Sequence, residues 1–455
     1  MKLSHLVTIV GLSFFFSFLG EIQISHADWL GNTSRKIKKS TKVKVPQTSG
    51  QQGQQTQQQP QYEVVVSQPA PVVGTVVPVE DPYEWSYFQD VAILPGTGNA
   101  AHIAFAVRKG HLKNAQYAEN SKLGLWHGWQ DANANWHSRG VFRELTDYIT
   151  SIRELNFRAS TVANATPVDT MTACQDEAKN SHIFIQLFQM SPQGMDQRLV
   201  YVRYTPQGNY KVKLSSTLSD DMGQSMQCVA DPANNIHLFG VKRWSQDYSR
   251  IVSYLLPAEE QTRQSLTFQM ARAELPQNFE TGDFTIFRSS QGVDLAFFKQ
   301  NYITLSLARH PLVGRNLAGV SSGWNLLFDN NASPEHQPNL MHDELHGFSY
   351  GGATPQTHII GKYKNIGANG GTNRGIAYYY QEDAGWMTRA LGGVWKSKGM
   401  VMNVNLYTLS VTAMRERPVF YMLGTTQDAE VWSGYYHARD QRWVNQGVVF
   451  RRNSQ

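Results

Sequence analysis

Four histidines recur in one setting: each follows a polar turn and opens an apolar strand, in NAAHIAF (His102), KNSHIFI (His182), NNIHLFG (His237) and PQTHIIG (His358). Histidine clusters hold metals or move protons, but a metal needs its ligands converging at about 2 Å on one point. Asp294 in QGVDLAF and Phe420 in RPVFYML occupy the same position of the pattern. A position that accepts His, Asp or Phe reads as a repeated structural contact at the start of a strand, and no metal is assigned to it. The run His342-Asp343-Glu344-Leu345-His346 has the composition of a zinc-protease signature, but that signature needs Glu directly after the first His, on a helix. On a strand, at about 3.3 Å per residue, His342 and His346 stand roughly 13 Å apart. A polar lining role, or a contact between repeats, is expected for them instead.

Glycoside hydrolysis would need two carboxyl groups about 5 to 10 Å apart across a cleft. Glu335, Asp343 and Glu344 form one group of available acids, and Glu144, Asp147 and Glu154 another. Neither group has a sequence signature, and the chain carries no GxSxG, phosphate loop or dinucleotide fingerprint at a strand-to-helix junction. No catalytic residue and no cofactor is assigned. Trp136, Tyr210, Trp386 and Trp443 could stack on sugar rings; their regular recurrence favours packing, given the area each aromatic buries. The two cysteines, Cys174 and Cys228, fall at equivalent places on adjacent repeats. A bridge needs Cα atoms within about 7 Å. The reading favours free, buried thiols.

These residues are carried by an internal repeat. The six units centred on His102, His182, His237, Asp294, His358 and Phe420 are separated by 80, 55, 57, 64 and 62 residues. Each is preceded by a strand such as SMQCVAD or FTIFRSS. Each is followed by a β-rich segment, a tight turn and an aromatic, as in LWHGWQDANANW, VRYTPQGNY, AYYYQEDAGW and GYYHARDQRW. Four short strands A, B, C and D per repeat make the blade of a β-propeller. The fold class is therefore all-β: a six-bladed β-propeller of four-stranded antiparallel blades over residues 81–455. A seventh blade is left open if residues 62–90 and 143–168 add strands. Within FRELTDYITSIREL, Leu145, Tyr148, Ile149, Ile152 and Leu155 lie at helical spacing, which predicts a short helix between the first two blades.

The architecture resembles the propeller group that includes sialidases and fucose-binding lectins, over about four fifths of the chain. The segment WQDANANW, Trp129 to Trp136, is similar to the Asp-box turn that those propellers place between their third and fourth strands. Asp131 matches the aspartate and Trp136 the aromatic, while Asn133 stands where glycine is usual. The resemblance implies an Asp-box role for Asp131; no arginine triad of the sialidase kind can be assigned.

In an A-B-C-D meander the B-to-C and D-to-A connections emerge at one end, and the sequence puts its long connections there, at 109–121, 143–168, 190–197, 243–249, 269–281, 329–338 and 364–373. Variable loops on a rigid scaffold are where binding concentrates. Arg243, Trp244, Asp247, Glu335, His336, Asn369 and Arg374 on those connections combine planar surfaces with donors and acceptors, the mixture a polar glycan or peptide needs.

The N-terminus reads as a secretory signal over residues 1–27: Lys2, an apolar run from Leu6 to Leu19, then Ser25-His26-Ala27 at the cleavage site. The apolar run is shorter than the roughly 20 residues a membrane span requires, so no span is expected in the mature chain. Residues 28–80 read as a disordered linker. It holds a basic run at 35–44 suited to a weak contact with anionic lipid or wall polymer, and nine Gln among the seventeen residues 45–61. Residues 62–80 suit an edge strand or an extended arm. The chain has 455 residues, 41% hydrophobic and 17% charged, enough core-forming material to exclude wholesale disorder. Its net charge of +5 divides into +3 on residues 28–80 and +2 on residues 81–455, too little basic surface for nucleic-acid binding by the folded body. The reading is an exported, periplasmic or extracellular, lectin-like propeller of a bacterial envelope that binds a carbohydrate or another envelope component without catalysis. A glycan hydrolase or lyase on the same scaffold is the first alternative, and a protein scaffold of the envelope the second.

Overall fold

The protein is described from a computed structural model. It describes residues 65–66, 83–97, 100–112, 122–142, 167–191, 194–216, 226–243, 249–265, 267–275, 283–289, 292–298, 304–311, 323–331, 340–350, 356–366, 372–382, 394–402, 406–413, 419–426, 428, 430–437, 440 and 442–451. The signal, the basic run, the Gln-rich stretch and the helix expected over 143–155 lie outside these residues.

After the short strand β1 (Val65–Val66), six antiparallel sheets follow in chain order. The first is β2 (Tyr83–Pro95), β3 (Ala100–Leu112), β4 (Lys122–Asp131) and β5 (Trp136–Phe142). The second is β6 (Pro167–Gln175), β7 (Ser181–Ser191), β8 (Gly194–Tyr204) and β9 (Tyr210–Ser215). The third begins with β10 (Gln227–Ala230), β11 (Ile236–Arg243) and β12 (Ser249–Leu256); the chain then forms the one-turn helix α1 (Ala258–Thr262) and β13 (Thr267–Phe268) before the sheet ends with β14 (Ala271–Glu274). The fourth is β15 (Asp283–Ser289), β16 (Gly292–Phe298), β17 (Thr304–His310) and β18 (Asn325–Asn331). The fifth is β19 (Leu340–Tyr350), β20 (Gln356–Ile366), β21 (Thr372–Glu382) and β22 (Val394–Met402). The sixth is β23 (Leu406–Ala413), β24 (Val419–Thr426), β25 (Val431–His437) and β26 (Arg442–Phe450).

This is a six-bladed propeller, with no strands left over for a seventh blade among the described residues: β1 joins the outer edge of blade 6, parallel to β26 through Val65 opposite Val444, and β13 joins the outer edge of blade 2, parallel to β9. The edge strand expected within 62–80 is realised at Val65–Val66.

The core lies between the blades. Six buried clusters each draw on two neighbouring blades, and they go round the ring in order. The second strand of a blade shows why its sequence is apolar almost throughout. Side chains alternate sides along a strand, and both sides of a blade meet another blade. In β3, Ile103, Phe105 and Val107 face blade 2, while Ala104 and Ala106 face blade 6. In β7, Ile183 and Ile185 face blade 1 and Phe184 faces blade 3. Each fully buried large side chain contributes about 1.5 to 3 kcal/mol relative to exposure. The seam between blades 6 and 1, where the ring closes, is filled by Phe88, Trp126, Trp136 and Phe450; the Trp126 and Phe450 rings meet edge-on at 4.5 Å.

Two sequence expectations about connections are corrected. β7 and β8 stay paired as far as Ser191 opposite Gly194, so residues 190–197 form a tight hairpin instead of a long loop. Long connections also join the third and fourth strands, across 311–324 in blade 4 and 383–393 in blade 5, where the fourth strand begins later than the aromatic Trp386 implied. Trp386 falls in the second of these, outside the described residues. Long connections therefore emerge at both ends of the ring.

Candidate functional site

The first strands of the blades line a central cavity of about 870 Å³. Its described walls run from Asp90, Thr285, Glu344 and Leu409 to Gly96, Lys179 and Arg288. Ala132, Lys179 and Gly96 belong to turns joining first to second or third to fourth strands, so the described rim is at that end of the ring.

Neighbouring first strands are tied along this cavity by side chains that bond to backbone. Asp90 Oδ2 accepts from Met171 N–H (2.5 Å), tying blade 1 to blade 2. Gln227 joins blade 3 to blades 4 and 5: its amide donates to Phe284 O (3.1 Å) and Leu345 O (2.7 Å), and its carbonyl accepts from Ile286 N–H (3.0 Å). Thr285 Oγ1 accepts from Gly347 N–H at 2.7 Å. Glu344 accepts from Leu409 N–H, and His346 Nε2–H donates to Leu409 O (2.7 Å), tying blade 5 to blade 6. Ser410 Oγ accepts from Ile93 N–H (3.0 Å) and closes the ring. The expectation that Glu344 and His346 make contacts between repeats is met, on the first strand of the fifth blade.

The junction of blades 2 and 3 is held by a disulfide between Cys174 and Cys228, with Cα atoms 5.6 Å apart. This corrects the expectation of free thiols. First strands converge on the channel, which brings these equivalent positions within bridging range.

Three carboxylates line the described walls of the cavity, and all three are engaged. Burial pushes the Asp90 carboxyl well above the ordinary carboxylate range; the nearby charge of Glu344 adds to the shift, while amide hydrogen bonds from Met171 and Val91 oppose it. Glu344 lies 3.4 Å from Lys362 Nζ. Asp176 accepts from Asn180 N–H (2.8 Å), Asn180 Nδ2 (2.7 Å) and His182 Nε2 (3.2 Å). Burial works to raise its pKa, but the hydrogen bonds from His182 and Asn180 outweigh it and hold the group at about 2.

Asp176 belongs to a turn that occurs three times among the described residues. Asp131, Asp176 and Asp231 each accept from the backbone and side-chain amide of an Asn four residues on (Asn135, Asn180, Asn235) and from a His six residues on (His137, His182, His237). The fourth residue of each turn is left-handed: Ala134 at φ 64°, Lys179 at 65° and Asn234 at 61°. The first copy joins third and fourth strands, as the Asp-box resemblance implied; the other two join first and second strands. The histidine of the repeat thus has a partner the sequence reading missed. The signal was present as Asp-x-x-x-Asn-x-His.

The remaining repeat positions are also structural. His102 Nδ1–H donates to Gln130 Oε1 (2.8 Å), an orientation set by Gln130 Nε2 donating to Ala134 O. His358 bonds Tyr378 Oη at 2.8 Å, Asp294 pairs with Arg309 at 2.5 Å, and Phe420 stacks on Phe348. Trp136 and Trp443 are buried, as the packing reading expected. Among the described residues no three His, Cys, Asp or Glu side chains converge as a metal site, and no helix is long and apolar enough to cross a membrane.

Of the residues nominated for binding, Arg243 ends β11, opposite Ser249, and Arg374 lies in β21, opposite Lys364. Trp244, Asp247, Glu335, His336 and Asn369 lie outside the described residues.

No known protein family and no curated protein matches the chain. Among solved structures, similar ones include Aleuria aurantia lectin in complex with Fucalpha1-6GlcNAc (9% identity, TM-score 0.42, covering 81% of this chain and 99% of that one). Another is Penicillium chrysogenum alpha-L-arabinanase complexed with arabinobiose (10%, 0.40, 60% and 79%). A third is the Fusarium graminearum GH93 alpha-L-arabinofuranosidase with arabinobiose (10%, 0.39, 62% and 82%).

Proposed function

We propose that this protein is an exported, non-catalytic propeller that binds a carbohydrate or another component of the cell envelope. Its binding surface is the end bearing the B-to-C and D-to-A connections, through Arg243, Trp244, Asp247, Glu335, His336, Asn369 and Arg374. The observation that carries the non-catalytic reading is the use made of the cavity acids. Asp90 and Glu344 hold backbone amides across blade junctions and Asp176 holds a turn together. A general acid or nucleophile must be offered to substrate, and these groups are offered to the protein. The Cys174–Cys228 bridge supports export, because such bridges persist in oxidising compartments.

A glycan array with the purified mature protein tests the reading. Binding without product, lost in Trp244→Ala, is the expected result. Release of sugar from any bound glycan overturns the non-catalytic reading. Absence of both binding and turnover, with specific capture of an envelope protein, overturns the glycan reading in favour of a scaffold.

A further inference from the structure

The described rim of the cavity is crossed by an ion pair between two blades that are not neighbours in the ring. Glu177 stands in the turn between β6 and β7 of blade 2, and Arg288 near the end of β15 in blade 4; their side chains pair across blade 3. The crossing is supported from below: Glu177 N–H donates to Asn234 Oδ1 (3.3 Å), on the corresponding turn of blade 3. The Glu177 side chain is 43% exposed and that of Arg288 32%. An exposed pair of this kind is weak and exchanges readily with competing ions.

Arg288 also lines the cavity, and so does Lys179, held in its left-handed conformation by the Asp176 turn. The rim therefore carries two cations beside the Asp176 carboxylate, which is engaged by Asn180 and His182, while the other end of the described wall carries Asp90 and Glu344. Gln175, Ser349 and Thr412 stand at the rim end too, at the ends of their first strands and level with Arg288. A ligand fitting this distribution has an anionic group for Arg288 and a neutral body whose hydroxyls meet Gln175, Ser349 and Thr412 at the same end. A carboxylate suits the rim best, because a guanidinium binds it through two parallel hydrogen bonds.

We propose that the Glu177–Arg288 pair is a displaceable latch over a second ligand site, and that this cavity takes a sugar acid whose carboxylate replaces that of Glu177 on Arg288. The site is at the opposite end from Arg243 and Arg374 and does not depend on the nominated long-loop residues. Titration calorimetry with D-glucuronate, and with D-glucose as the neutral probe, tests it. Glucuronate is expected to bind at least tenfold more tightly than glucose. Glu177→Gln, which frees Arg288 of its competitor, should tighten glucuronate binding by up to about fivefold, the worth of an exposed ion pair. Arg288→Ala should weaken it by about tenfold or more, the loss of a charge-assisted bond, with Lys179→Ala giving a smaller loss in a variant that removes no ion pair between blades. Trp244→Ala should change nothing. Equal affinity for the two probes, no binding of glucuronate, an unchanged or weakened affinity in Glu177→Gln, or dependence on Trp244 would each overturn the proposal.

Discussion

The three equivalent turns offer a controlled test of what burial does to one hydrogen-bonded motif. Asp231, Asp176 and Asp131 hold the same Asn and His partners, but their side chains are 0%, 3% and 29% exposed. Replacing Asp231 by Ala removes the acceptor for Ala233 N–H (2.8 Å), Asn235 N–H (2.9 Å), Asn235 Nδ2 (2.9 Å) and His237 Nε2 (3.2 Å). A buried donor left without a partner costs about 1 to 3 kcal/mol. Asn235 and His237 can each turn toward a new partner, so the four losses do not add in full, and about 3 to 5 kcal/mol is expected, the cost of breaking a buried charged contact. Asp176→Ala should fall close behind. Asp131→Ala should cost a small fraction of either, because water can take over at its turn. Urea unfolding gives the order directly, through shifts in midpoint at constant slope. If Asp131→Ala destabilises as much as Asp231→Ala, burial is not what gives these bonds their worth and the reasoning fails. Asp231→Asn is the informative control: it keeps one acceptor oxygen for the backbone amides but sets an NH2 against the remaining donors, and should fall between wild type and Asp231→Ala.

Further outcomes follow from the same contacts. Cys174→Ala with Cys228→Ala opens a loop of sequence separation 54, for which the chain-entropy relation gives about 4 kcal/mol. Thermal melting should show a drop in the double variant and an equal drop when the wild type is reduced; a reductant-insensitive wild type would refute the bridge. Burial holds His102, His346 and His358 at about 4. A histidine depressed in the fold contributes stability in full above its unfolded value near 6.5, and that stability is lost as pH falls toward the folded value. Unfolding free energy should thus decline between pH 6.5 and 4, by up to about 1.4 kcal/mol per pH unit for each histidine. Asp176, held at about 2, adds a second loss as pH falls from 3.8 toward that value. A flat stability profile between pH 6.5 and 4.5 in chemical denaturation would contradict the first of these.

The repeat was legible because both sides of a blade are covered, which forces an apolar second strand into every unit and so writes a recurring pattern such as HIAF, HIFI and HLFG. The polar turn before it is legible too as a structural feature, but its Asp-to-His bond, between Asp176 and His182 or Asp231 and His237, shows only in the folded turn, where the side chains meet. The positions of the fourth strands were misplaced where an aromatic was taken as their start, as at Trp386, because an aromatic reports burial without reporting where pairing begins. The cavity was the least legible part. Asp90, Thr285 and Ser410 have nothing in their sequence neighbourhoods to mark them, and Gln227 bonds to Leu345, 118 positions away.

By itself the sequence determined the blade, with its succession of short strands and its apolar second strand, and narrowed the count to six or seven, since these follow from alternation, turn chemistry and spacing along the chain. Only the tertiary structure decided which side chains meet. Closing six blades into a ring brings first strands together at the channel, and that convergence sets the Cys174–Cys228 bridge, commits Asp90 and Glu344 to backbone amides, and carries Glu177 across to Arg288. Contacts between blades join residues dozens to hundreds of positions apart, and no local pattern records them.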